Sequence, residues 1–144
     1  MKQIFVLMLC ILTMSACGQQ TNAEPAMEQR KQVNDYVEVI YFHGKQRCMT
    51  CRSIEKNVKD LLDAKFTQQM EQGKVVWRII DISNRENAKL VEKYEVSWSS
   101  LFVVQHVDSK EMAEDLTEFA FNMSLKDADK FKSDLEAKIN QILY

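Results

Sequence analysis

Cys48-Met49-Thr50-Cys51 puts two thiols two residues apart, close enough to close a small disulfide ring. The chain has four cysteines; Cys10 falls within an N-terminal apolar run and Cys17 just after it, which leaves Cys48 and Cys51 as the pair free to do chemistry. A thiolate is the species that attacks disulfides, and it is favoured at a helix N-terminus and beside positive charge. Lys45, Arg47 and Arg52 supply that charge. Cys48 is therefore expected to be the nucleophile and Cys51, one turn inward, the resolving thiol, with no cofactor beyond their disulfide. His43 is placed to shuttle a proton to a leaving thiol, or else to be satisfied by a loop carbonyl.

Two other uses of the pair compete with exchange. As a staple, a bridge across so short a loop removes little entropy from the unfolded chain. As a metal or metalloid site, the pair has only His43 and His106 as further soft or borderline ligands. Met49-Thr50-Cys51 imitates the start of an M-x-C-x-x-C metal loop, but Ile54 stands where its second cysteine belongs. A vicinal dithiol remains able to capture trivalent arsenic.

The elements that hold the pair follow from apolar spacing. Val37-Glu38-Val39-Ile40-Tyr41-Phe42 is β-branched and aromatic, and reads as a central strand buried on both faces. Ile54, Val58, Leu61, Leu62 and Phe66 recur at spacings of three and four, so a helix opens at Cys48 and runs to about Met70. A strand over 74–82 follows, then a helix with Ala88, Leu90, Val91 and Tyr94 inward. Next come a strand over 101–106, a turn at Asp108-Ser109-Lys110 and an exposed acidic strand from Glu111 to about Thr117. Ser124 and Asp127 suggest a capping box before a terminal helix marked by Leu125, Ala128, Phe131, Leu135, Ile139 and Ile142. The order is βαβ-α-ββ-α: an α/β fold with a mixed four-stranded sheet flanked by helices. Trp77 and the scattered methionines read as core and surface residues.

Residues 1–16 carry one early positive charge and then an apolar run too short to span a bilayer comfortably, as a signal peptide does. Met14-Ser15-Ala16-Cys17-Gly18 resembles the lipobox of bacterial lipoproteins, which implies acylation at Cys17 and a place in the bacterial cell envelope, facing the periplasm or exterior. Residues 17–31, with the chain's one proline and no apolar period, read as a lipid-anchored tether, and 32–144 as one domain. The net charge of −2, without basic blocks or stacked aromatics, argues against a nucleic-acid partner.

With the dithiol set between the first strand and first helix, 32–144 resembles a thioredoxin-like domain. Ile80-Asp81 and Lys93-Tyr94-Glu95-Val96 match steps of that fold. The resemblance implies that Trp98-Ser99-Ser100 forms the loop packed against the dithiol, where a partner docks. Three residues depart from it: Ser100 replaces the usual cis-proline, which predicts a trans bond there. Arg47 replaces the tryptophan before the first thiol, and the buried acid six residues before that thiol falls on Phe42. These point to a specialised relative rather than a general disulfide reductase. The runs 41–48, 81–83, 94–103 and 117–121 are similar to the ArsF family, thioredoxin-like bacterial proteins named as nitrophenyl compound nitroreductase subunits of arsenic-resistance operons. That likeness implies a redox subunit working with a protein partner, such as a membrane electron carrier, in nitroaromatic or arsenical reduction. The alternatives are a non-catalytic docking module built on the Trp98 loop, and a dithiol carrier of arsenic or a soft metal.

Overall fold

A computed structural model describes residues 35–144. The expected signal peptide, Cys17 and tether lie outside the described residues. β1 (Tyr36–His43) pairs in parallel with β2 (Val75–Asp81) and antiparallel with β3 (Ser100–Val107), and β3 pairs antiparallel with β4 (Lys110–Asp115). The sheet order is β2-β1-β3-β4. β1 is central and buried along nearly its whole length, as its β-branched and aromatic run predicts.

Side chains alternate across this strand and divide the core in two. Val37, Val39 and Tyr41 face α1 (Met49–Lys65) and α5 (Ala128–Leu143), packing with Ile54, Val58, Leu62, Phe131, Leu135 and Ile139. Ile40 and Phe42 face the other way, with Ile80, Phe102 and Val104, under the short helix α3 (Ala88–Lys93). There the Phe42, Tyr94 and Phe102 rings lie 5.2–5.8 Å apart. Glu38 is buried on this second face, where Arg78 donates to it at 2.9 Å and His106 Nε2 at 3.1 Å.

Four expectations need correction. The first helix is not continuous to Met70: α1 ends at Lys65, Phe66 turns out of helical geometry at φ −123°, and α2 (Thr67–Glu71) restarts beyond it. Phe66 stays in the core across the break, so the apolar spacing does not register it. β4 stops at Asp115, and Thr117 opens a further helix, α4 (Thr117–Met123). Ser124 does not cap the terminal helix; it is buried at the end of α4, while the Asp127 carboxylate accepts the Lys130 N–H at 2.9 Å as the true cap. Leu125 is consequently exposed. Ala88 also points outward, because a turn of 3-10 helix at Arg85–Asn87 precedes α3 and rotates its start. No described helix is long and apolar enough to cross a membrane.

The chain leaves α3 through a Schellman closure: Val96 N–H donates to Val91 O at 3.0 Å and Glu95 N–H to Glu92 O at 3.1 Å. Glu95 takes the left-handed position at φ 52°, where glycine is usual. This turn leads into residues 97–100, where the Ser99 side chain lies at the Tyr41 hydroxyl.

Candidate redox site

β1 ends at His43, and a five-residue loop delivers Cys48 to the start of α1. Cys48 is the N-cap: its backbone is extended, and its sulfur accepts the Cys51 N–H at 3.1 Å. No acidic side chain occupies the first turn, so the positive end of the helix dipole is uncompensated there. Cys48 and Cys51 form a disulfide, with Cα atoms 5.1 Å apart. Cys48 is exposed, whereas Cys51 is only 6% exposed because the amphipathic stripe of α1 turns it inward beside Ile54. Access is thus one-sided.

The expected supporting residues differ in position. Lys45 and Arg52 are exposed and have no ion-pair partner among the described residues. Arg47 instead pairs with Glu55, one turn beyond Cys51, so its charge is largely compensated. His43 is buried; its Nδ1 donates to the Gly44 carbonyl at 3.0 Å, the loop-carbonyl arrangement. In the parallel register His43 faces Asp81, whose carboxyl is held below its usual range by bonds from the Ser83 hydroxyl and N–H, helped by His43 and Lys45.

Trp98 is 61% exposed and its ring stacks on Phe121 at 5.5 Å. Ser99 and Ser100 are buried, and the Ser100 hydroxyl donates to the Trp98 carbonyl at 3.2 Å. No cis peptide occurs among the described residues, so the Ser99–Ser100 bond is trans as the loss of proline predicts. His106 lies with Glu38 on the other sheet face, away from the sulfurs. No group of three or more His, Cys, Asp or Glu side chains converges among the described residues.

Sequence reasoning missed two features. Counting six residues back from Cys48 leads to Phe42, but Phe42 sits on the opposite face with Tyr94 and Phe102. The residue that reaches the dithiol helix from β1 is Tyr41, fully buried, its hydroxyl donating to the Cys51 carbonyl at 2.9 Å. Burial pushes this phenol above its usual range, with the adjacent Ser99 side chain and Arg47 acting in the opposite direction. It therefore keeps its proton and serves as a hydrogen-bond donor to the dithiol helix. Strand alternation with Val37 and Val39 could have assigned Tyr41 to this face. The second feature is Asn57, buried in α1, which donates to the Ser124 carbonyl at 2.9 Å, while Ser53 donates to the same oxygen at 2.7 Å. Together they fasten the end of α4 to the dithiol helix.

A helix-opening C-x-x-C disulfide at the end of a central strand, in a mixed sheet ordered β2-β1-β3-β4 with helices on both faces, defines a thioredoxin-like fold. Similar solved structures include a thioredoxin from Fasciola hepatica, 21% identical over 74% of this chain and 81% of its own, at a TM-score of 0.44. A malarial protein is 18% identical over 76% of this chain and 99% of its own (TM-score 0.47). Thioredoxin-2, a component of malaria parasite protein secretion machinery, is 19% identical over 56% of this chain and 70% of its own (TM-score 0.40). No family model matches the chain, and no curated protein does.

Proposed function

We propose that this protein is a thiol–disulfide exchange subunit acting through Cys48. In the reduced form the Cys48 thiolate attacks a partner's disulfide; that S–S bond breaks, one partner sulfur leaves as a thiol, and a mixed disulfide joins the proteins. The Cys51 thiolate then attacks the Cys48 sulfur. The second partner thiol leaves, and the two electrons given up by the pair remain in the reduced partner. The observation that carries this reading is the one-sided disulfide: an exposed helix-capping Cys48 bonded to a buried Cys51. A staple has no need for such asymmetry.

The lipobox-like run at Cys17 supports a lipid-anchored form on the exported side of a bacterial membrane, where a membrane electron carrier would recharge the pair. The ArsF resemblance supports work on nitroaromatic or arsenical compounds beside other products of its operon.

Single substitutions test the exchange reading. Cys51→Ser should accumulate a mixed disulfide with the natural partner on non-reducing gels, and Cys48→Ser should not, because its remaining thiol is buried. Equal trapping by both would mean the hierarchy is wrong. Full function in both variants would hand the protein to the docking-module reading, which the exposed Trp98 favours.

A further inference from the structure

Six large apolar side chains stand out as exposed among the described residues, and three of them, Met49, Trp98 and Leu125, belong to the dithiol end of the domain. Met49 is 76% exposed on the first turn of α1, one turn before Ser53 and on the same side of the helix. Ser53 and Asn57 hold the Ser124 carbonyl, so Leu125, 52% exposed, emerges beside that same stretch of α1. Phe121, one turn before Ser124 on α4, backs the exposed Trp98 ring. An apolar shelf therefore runs from the helix start to the α4 end, with Cys48 at its border.

The charges beside it are unusual for an acidic chain. Farther along α1, Lys56 pairs with Asp60, Lys59 with Asp63 and Lys65 with Glu136. Arg52, whose N–H bonds to the Cys48 carbonyl at 3.1 Å, has no such partner among the described residues, nor does Lys45 in the loop before Cys48. Arg52, on the first turn of α1, is thus a cation without an ion-pair partner beside the attacking sulfur, and Lys45 adds a second in the loop before it, partly offset by the Asp81 carboxylate, in a protein of net charge −2.

The geometry points to a docking surface for an extended polypeptide whose disulfide-bonded cysteine is flanked by a carboxylate and a bulky apolar side chain. The carboxylate meets Lys45 and Arg52, and the apolar side chain lies on Trp98 and Phe121. This partner assignment rests on the exchange reading above.

The test uses the protein purified as the cell makes it, reduced with dithiothreitol and freed of it. Synthetic peptides carry a central cysteine capped as a mixed disulfide with 2-mercaptoethanol. Each turnover converts the protein dithiol to its disulfide and yields peptide thiol and free 2-mercaptoethanol, read by mass spectrometry. A peptide with Asp and Trp beside its cysteine should react at least about tenfold faster at low salt than one with Lys in place of Asp, and the ratio should shrink as salt is raised. In the double variant Lys45→Ser/Arg52→Ser the ratio should fall to about threefold or less. Trp98→Ala and Phe121→Ala should each lower the ratio of the Asp-Trp peptide to an Asp-Ala peptide about fivefold. Each ratio compares two peptides on one protein, so any change in thiolate reactivity cancels. Equal rates for all peptides, or preferences that survive the substitutions, would overturn the docking surface while leaving exchange intact. No exchange with any peptide or with free 2-hydroxyethyl disulfide would sink the exchange reading, and this partner with it. A concentration-dependent dimer abolished by Trp98→Ala would assign the shelf to a second copy and also overturn the proposal.

Discussion

Replacing Tyr41 by Phe deletes one hydroxyl beneath the dithiol and leaves the ring packed against Val37, Val39 and α1. The interaction lost is the 2.9 Å bond to the Cys51 carbonyl. A neutral buried hydrogen bond contributes about 1 kcal/mol net, and an acceptor left wholly unpaired costs more. The Cys51 carbonyl, inside the first turns of α1, keeps its place in the helix ladder, so the expected loss is about 1–1.5 kcal/mol. For a domain of about 110 residues, unfolding entropy near the midpoint is roughly 0.23 kcal/mol/K, which turns that loss into a fall in Tm of about 4–7 °C. The fall should be the same in the oxidised and the reduced protein, because Ile54, Val58 and Asn57 seat α1 whether or not the sulfurs are joined. A difference of 1 kcal/mol between the two forms would move the reduction potential by about 20 mV, so the potential should stay within about 10 mV of its starting value. Thermal unfolding with and without dithiothreitol, together with equilibration against glutathione, measures all three quantities. An unchanged Tm would show that the bond contributes nothing; a fall in one redox form alone would show that Tyr41 senses the disulfide, against the reasoning given.

Further outcomes follow from other residues. Cys17→Ser should move the protein from the membrane fraction to the soluble one on ultracentrifugation without altering its domain, and unchanged fractionation would refute acylation there. Glu95→Gly should raise stability by up to about 1 kcal/mol, read from the urea midpoint, since the residue sits at φ 52° in the α3 closure. The Tyr94 phenol is raised above its usual range by burial and then by its 2.6 Å bond to the Glu111 carboxylate. A raised folded-state value means that its contribution is complete below about pH 10, the unfolded phenol value, and is lost as pH rises beyond it. Tyr94→Phe should therefore flatten the decline of the urea midpoint between about pH 9 and 11, and a parallel decline in both proteins would contradict this.

The strands and the two long helices were legible because their buried residues are strongly apolar and regularly spaced: Val37, Val39 and Tyr41 on β1, Ile54, Val58 and Leu61 on α1, Phe131, Leu135 and Ile139 on α5. α4 was not, since the positions it buries are Thr117, Ala120 and then Ser124, spaced as a helix requires but too small and polar to register as an apolar face. Its visible aromatics, Phe119 and Phe121, are spaced as in a strand. The dithiol, its place at a helix start and its inward and outward sulfurs were readable from spacing alone. The Arg47–Glu55 pair, the Tyr41 contact and the Ser124 clamp were not, because each joins residues whose proximity depends on loop paths and on the rotation of one element against another.

The clamp at Ser124 spans 71 residues to Ser53, while the disulfide spans three. During synthesis from the N-terminus, Cys48 and Cys51 emerge together, long before Ser99, whose side chain lies at the Tyr41 hydroxyl, or Ser124, which seats the end of α4. Closing so small a ring requires no distant contact, whereas the Ser53–Ser124 clamp waits for the last third of the chain. The dithiol is thus complete in the chain well before the element that clamps its helix, and only the finished fold holds Cys51 buried with Cys48 exposed. One-sided exposure of the pair is a property of the assembled fold rather than of the Cys-x-x-Cys segment alone.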